Sequence, residues 1–263
     1  DKVWIEYQEE MIRAVHTKFD LVSDLLFRVY AIYARDGIYL FLMFHHLISD
    51  GVSLRILLDD LSNLFSKSNL EVTQNYPKKT VSYQQYANPF LHRPKSMKIA
   101  AEQSSTYMIE SGDTNRWLSL KRDSCDFQIN EEISEHILGD ANTVYRTKGE
   151  ELLLIAWKLT LQQFLGFSCL ILEAESHGRD AFENMDTSRT VGWFSMAYPV
   201  SIEAKRGTTR EIIISYKEQI RSAFQRRYEY GICKWIKGYQ IPMVHMARFN
   251  YLGNCDLPKG TPF

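Results

Sequence analysis

At 263 residues the chain has room for one large domain or for two lobes of about 100 to 150 residues each. With 45% apolar and 24% charged residues it has the make-up of a folded globular protein rather than a disordered one, and 31 Lys plus Arg against 32 Asp plus Glu leave a formal charge of -1 and no basic stripe to follow a nucleic-acid backbone. No run reaches the roughly 18 apolar residues of a membrane helix, the first residues do not resemble a signal peptide, and the 4 cysteines form no CxxC pair, so a cytoplasmic protein with reduced thiols and no membrane partner is expected.

Residues 25–34 and 38–44 are rich in aromatic and branched side chains, and the Asp36-Gly37 turn signal between them predicts a β-hairpin. The second strand is apolar on both faces and is expected inside a sheet, delivering His45 and His46 at its C-terminal end. After Gly51, Leu54, Leu57, Leu58, Leu61, Leu64 and Phe65 fall at helical spacing, with Asp50 or Ser53 available as a cap. HHLISDG, residues 45–51, therefore reads as a strand-to-helix loop, where side chains are held on a rigid frame yet stay reachable.

Residues 67–82 read as a polar surface loop and 96–111 as a helix that Gly112-Asp113-Thr114-Asn115 breaks. A boundary is expected there, between an N-terminal lobe, 1–113, and a C-terminal lobe, 114–263. In the second lobe, 125–130 is expected as a strand, Ile133, Ile137, Ala141 and Val144 as one helix, 150–165 as a more buried helix, and Cys169 to Leu172 as the start of a strand. Thr208 and Glu211 form the T-x-x-E signature of a late helix expected through Arg221. Strands mixed with helices in both halves indicate the α/β (α+β) class.

Two clusters carry candidate chemistry. On an extended segment neighbouring side chains point to opposite faces, so one of His45 and His46 can pack while the other looks into a cavity as a proton-transfer base. A metal reading of His45, His46 and Asp50 lacks a second cluster at ligand spacing. Asp50 is expected either to bond local N–H groups or to take an arginine. Glu173 and Glu175 share one face of their strand, in a segment that otherwise reads as core. Either Arg179 or Arg189 neutralises one of them, or one stays uncharged in a cleft. A histidine from one half and a glutamate from the other suit proton abstraction from carbon with return to the opposite face.

The motifs HHLISDGVSLRILLDDL, GEELLLIAWK, ESHGRD, SRTVGWFSMAYPV, YEYG and FNYLG occur in the order found in the epimerization domains of nonribosomal peptide synthetases, and over residues 27–253 the chain resembles that family. The family is a branch of the condensation-domain superfamily, with the chloramphenicol-acetyltransferase-like fold. The resemblance implies two such lobes, each a mixed sheet with packed helices, forming a V with a central channel. It implies no cofactor of the domain's own and no metal. The substrate would be an aminoacyl or peptidyl thioester on the phosphopantetheine arm of a partner peptidyl carrier protein, among neighbouring synthetase domains in an antibiotic-type secondary metabolism. By motif position His46 is the expected acid/base, Glu175 its partner, and Tyr251 with Asn250 the group that steadies an enolate. His45, Asp50, Gly51 and Arg179 are expected to support the site, with Asp50 and Arg179 as a pair.

Other readings within reach of the same motifs are a condensation domain, which forms a peptide bond, and a catalytically silent docking module for carrier proteins. Ser176 and Asp180 stand where the family has glycine and glutamate, Leu54 where an aromatic is usual, and residues 221–231 form a shorter stretch than the family pattern. The family's opening and closing segments are expected to be absent at both ends.

Overall fold

A computed structural model describes residues 19–66, 77–92, 124–165, 169–238 and 247–253. Contacts gather them into two compact units, one from Asp1–Tyr86 with Phe182–Phe194, the other from Ala87–Ala181 with Ser195–Asp256. The expected boundary at 113 and the expected helix at 96–111 lie outside the described residues, as does most of the 67–82 loop.

In the first unit, strands β1 (Phe27–Tyr33) and β2 (Ile38–Phe44) pair antiparallel from Phe27↔Phe44 to Tyr33↔Ile38. The turn closes as Ala34 N–H donates to Gly37 O at 2.9 Å, as Asp-Gly predicts. β1 alternates exposed and half-buried residues with the period of two. The expectation that β2 lies inside a sheet is corrected: among the described residues it pairs with β1 alone, and Ile38, Tyr39 and Leu40 are exposed while Met43 is buried. Continuous apolarity reports what a strand offers, not how many neighbours take it.

Helix α1 (Gly51–Ser66) follows the histidine loop. Helix α2 (Tyr83–Leu91) was not foreseen, because Pro89 sits in it. Its start carries a legible S-x-x-Q box: Ser82 N–H donates to Gln85 Oε1 at 2.9 Å and Gln85 N–H to Ser82 Oγ at 3.2 Å.

In the second unit, residues 125–130 form no strand, a second correction: the segment is exposed throughout and without regular structure. It ends at Asn130, whose side chain caps helix α3 (Glu131–Leu138) by accepting from Ile133 N–H at 2.9 Å. The single helix expected over Ile133 to Val144 is two, because Gly139 separates α3 from α4 (Asp140–Tyr145). A Cβ at Gly139 would lie 2.8 Å from the carbonyl oxygen of Glu135.

Helix α5 (Gly149–Leu165) leads to β3 (Cys169–Ser176), then come β4 (Met196–Glu203), α6 (Thr209–Gln225), α7 (Arg227–Gly231), a π-helical turn (Ile232–Ile236) and β5 (Ala247–Phe249). The capping box of α6 forms as expected, and the helix runs one turn past Arg221. β3 is the central strand, antiparallel to β4 and parallel to β5. β4 escaped notice because it contains Pro199, which an edge strand tolerates. Leu154 and Ile155 of α5, Leu172 and Ala174 of β3, Tyr198, Val200 and Ile202 of β4, and Tyr216 and Ile220 of α6 make one buried core. Among the described residues no helix is long and apolar enough to cross a membrane.

Lys158 of α5 is fully buried beside this core, donating to the Tyr216 hydroxyl at 2.7 Å and to Gln162. Removing the ammonium and removing its acceptor should have opposite consequences. Lys158→Met, which takes the charge out of the interior, is expected to leave stability unchanged or raise it. Tyr216→Phe, which keeps the buried ammonium but strips an acceptor, is expected to cost about 1 to 3 kcal/mol. Urea unfolding of the two variants checks the contrast, and equal losses would contradict it.

Candidate functional site

His45 N–H still donates to Leu26 O at 2.8 Å, as the last rung beyond β2, but Ile48 N–H then turns back to His45 O at 3.0 Å. The two histidines therefore stand at a turn and not on an extended strand, which corrects the reasoning from alternating faces. His45 is half-buried: its Nδ1 accepts from Leu47 N–H at 3.1 Å and its ring meets the edge of Phe19. His46 is exposed, with Nδ1 2.7 Å from Ser49 O. A carbonyl oxygen only accepts, so Nδ1 carries the proton of the neutral ring and Nε2 keeps a free lone pair.

The buried Asp50 carboxylate fixes the loop. Oδ1 accepts from Ser53 N–H at 2.7 Å and from Ser53 Oγ at 2.8 Å, which caps α1 as expected. Oδ2 accepts from Phe194 N–H at 3.1 Å, a partner the sequence did not indicate. Gly51 opens the helix, and a Cβ there would meet nothing within 4 Å.

RTVGWF, residues 189–194, packs with this first unit, although it was expected in the C-terminal lobe. Arg189 pairs with Asp60 of α1 and so neutralises neither Glu173 nor Glu175. Thr190 Oγ1 donates to Val81 O at 2.5 Å. The Ser53 hydroxyl meets Gly192 twice, accepting from its N–H at 3.0 Å and lying 2.8 Å from its carbonyl oxygen. Only glycine fits at 192, since a Cβ would lie 2.4 Å from Cδ2 of Tyr83. The Tyr83 hydroxyl donates to Trp193 O at 2.8 Å, and burial, reinforced by the Asp50 charge, raises that phenol and keeps it a donor.

In the second unit Glu173 is buried and Glu175 half-buried, on one face of β3. Their shared cation is Arg248 of β5, which sequence reasoning missed: it pairs with Glu173 and lies 3.7 Å from Glu175 Oε1. The strand register sets Arg248 opposite Glu173, an alignment that no local motif announces. Glu173 also shapes its surroundings. The Tyr230 phenol is raised by burial and by the Glu173 charge, whereas burial lowers the Lys234 ammonium against the opposing pull of Glu173.

After β3 the chain turns through His177, whose Nδ1 accepts from Arg179 N–H at 3.1 Å, to Asp180. One oxygen of Asp180, Oδ1, takes two donors: Arg227 at 2.5 Å and the Tyr228 hydroxyl at 2.7 Å. Burial opposes its ionisation, but these two donors outweigh burial and hold the carboxyl below its ordinary 3.8. The Arg227 guanidinium is itself buried, 3.6 Å over the Phe224 ring and 4.4 Å over that of Tyr228. Asn250 and Tyr251 leave β5 at the end of the sheet where Glu175 stands, because β5 runs parallel to β3. Tyr251 is partly exposed, and a Cβ at Gly149 would lie 3.8 Å from its hydroxyl, which places the phenol at the start of α5.

The candidates thus fall into two sets: His45, His46, Asp50 and Gly51 in the first unit, and Glu175, Arg179, Asn250 and Tyr251 in the second. Among the described residues no group of three or more His, Cys, Asp or Glu could hold a metal ion.

Residues 5–236 match the family model described as Condensation domain. The chain belongs to the condensation-domain family. This condensation-family chain is 33% identical over 235 residues to a plipastatin synthase protein of Bacillus subtilis (strain 168), a match that covers 82% of the chain and 9% of that protein. It is 29% identical over 280 residues to surfactin synthase subunit 2 of the same organism, covering 97% of the chain and 8% of that protein. It therefore spans less than a tenth of either relative. Among solved structures, the epimerization domain from the third module of tyrocidine synthetase B aligns with a TM-score of 0.72 at 24% identity, over 92% of this chain and 58% of that one. The condensation domain from Monacolin K polyketide synthase aligns with a TM-score of 0.65 at 14% identity, over 90% and 56%. At these identities the likeness is one of fold, and it agrees with the mixed α/β architecture described above.

Two measurements follow from the second unit. Arg248→Met leaves the buried Glu173 carboxylate with less counter-charge and is expected to destabilise by about 1 to 3 kcal/mol, while adding Glu173→Gln should restore part of the loss. Additive losses in a double-mutant cycle would contradict the pairing. Because the Asp180 carboxyl is depressed in the folded state, its stabilisation is present above its ordinary 3.8 and is lost as pH falls through the lower folded value. Asp180→Asn should therefore flatten the acid limb of stability below about pH 4, read by thermal unfolding across pH.

Proposed function

We propose that this condensation-family domain epimerizes the α-carbon of an aminoacyl or peptidyl thioester, L to D, while a peptidyl carrier protein presents it on a phosphopantetheine arm within a nonribosomal peptide synthetase. The observation that carries the reading is the state of His46: its ring is exposed and its Nδ1–H is committed to Ser49 O, which leaves Nε2 as the nitrogen able to act as a base. A thioester acidifies the α-hydrogen. One of His46 and Glu175 removes that proton, the other, in its acid form, returns one to the opposite face, and the C–H bond broken equals the C–H bond made. Tyr251, with Asn250 beside it, donates to the enolate oxygen that forms between the two steps. No cofactor takes part. His45, Asp50, Gly51 and Arg179 support the site.

Support for epimerization over condensation comes from RTVGWF and FNYLG, and from the fold likeness to an epimerization domain. Condensation remains the second reading, favoured by the family model and by the condensation domains of the same fold. A silent docking module is a third, which the departures at Ser176 and Asp180 favour.

The test is mass spectrometry of an α-deuterated aminoacyl-carrier thioester incubated with the protein in ordinary water. Loss of the label without a new amide bond is expected, and His46→Ala and Glu175→Gln should each slow it by about 100-fold or more. Full exchange in both variants would overturn the assignment. A new amide bond with a second carrier thioester would favour condensation, and carrier binding with the label retained would favour the docking module.

A further inference from the structure

The backbone of residues 192–194 is bonded residue by residue: Gly192 to Ser53, Trp193 O to the Tyr83 hydroxyl, and Phe194 N–H to Asp50. The Phe194 ring packs between Tyr83, at 5.0 Å, and Tyr86, at 4.9 Å. Carried on this fixed backbone, the Trp193 indole is still 42% exposed and stands 5.3 Å from the His46 imidazole at an interplanar angle of 44°.

Among the described residues the imidazole makes one hydrogen bond, from Nδ1 to Ser49 O. The torsion that swings a histidine ring is soft and roughly two-fold, so one hydrogen bond at an exposed site does not by itself hold the ring plane. A half-turn would put a carbon where Nδ1 donates and move Nε2 away from its present direction. The indole stands against one side of the ring, and it is a stiff neighbour, with two side-chain torsions on a backbone held at Gly192, Trp193 O and Phe194 N–H.

We propose that Trp193 is a positioning residue for His46: its indole holds the imidazole plane so that Nδ1–H stays on Ser49 O and Nε2 stays presented to the substrate. This rests on the reading of His46 as the acid/base group, but the arrangement of the ring can be measured without any reaction. Trp193 acts through the direction of Nε2.

The experiment is long-range proton–nitrogen NMR on the full chain labelled with 15N-histidine, with the His46 signals assigned by their absence in His46→Gln. The wild type is expected to show a single neutral form, protonated at Nδ1. Trp193→Leu, which keeps apolar bulk but loses the aromatic wall, should give a mixture with the Nε2-protonated form, and Trp193→Phe should restore the single form. In the deuterium-loss assay Trp193→Leu should lower kcat by on the order of 10- to 100-fold with carrier KM within about twofold, since misdirection costs rate more than binding. Tyr83→Phe is the milder companion: it removes only the hydroxyl that fixes Trp193 O, and it should shift the same signals part of the way. If neither Trp193→Leu nor Tyr83→Phe changes the His46 signals, the inference is wrong. If the signals shift as expected but the wild type exchanges no deuterium, the positioning stands and the epimerase reading fails.

Discussion

The carboxylate of Asp50 is the point on which the first unit turns. It is buried, so its charge is costly unless every lone pair has a donor, and its three described donors are Ser53 N–H, Ser53 Oγ and Phe194 N–H. The first two are local and set the start of α1. The third lies 144 residues away and makes the histidine loop depend on RTVGWF. A loop that belonged only to the β2–α1 connection would have its turn fixed by neighbours alone. Here the same aspartate caps a helix and receives a distant strand of backbone, so the histidine loop and the backbone that carries Trp193 meet at one carboxylate.

The second unit solves a related problem in another way. Glu173 points from the central strand into a buried setting, and the cation that meets it comes from the adjacent parallel strand. Because side chains two apart share a face, Arg248 also lies beside Glu175, and the exposed end of β3 inherits a positive neighbour from a bond made deeper in the sheet. Asp180 repeats the pattern one turn on, where a departure from the family motif is met by Arg227 and Tyr228 from α7.

What was legible in the chain was whatever rests on local chemistry. The Asp36-Gly37 hairpin, the cap and apolar stripe of α1, the Thr208 and Glu211 box and the position of β3 all stand within a few residues of the signals that announced them. What was not legible depends on register or distance: Arg248 opposite Glu173, Phe194 on Asp50, and β4 hidden by its proline. Local reasoning also failed where two signals competed. Gly139 overrode a helical apolar period, Pro89 concealed a helix whose Ser82 and Gln85 box was plain, and the modest alternation of Phe127 and Ile129 produced no ladder. The family resemblance drew on motif order, which carries long-range information that periodicity lacks, and the match over residues 5–236 agrees with it.

The discontinuity of the first unit also constrains the order of events when the chain is made. Asp50 and Ser53 are synthesised well before Gly192 and Phe194, with separations of 144 and 139 residues between bonded partners. The length-dependent part of closing such a loop costs about 4 kcal/mol, more than the roughly 1 kcal/mol that one hydrogen bond returns. The strap therefore closes as a set, with Arg189, Thr190, Gly192, Trp193 and Phe194 engaging together. A nascent chain that has not yet emerged through Phe194 lacks the bonds that Asp50 and Ser53 make to residues 192–194, so the histidine loop is completed only after that segment is made.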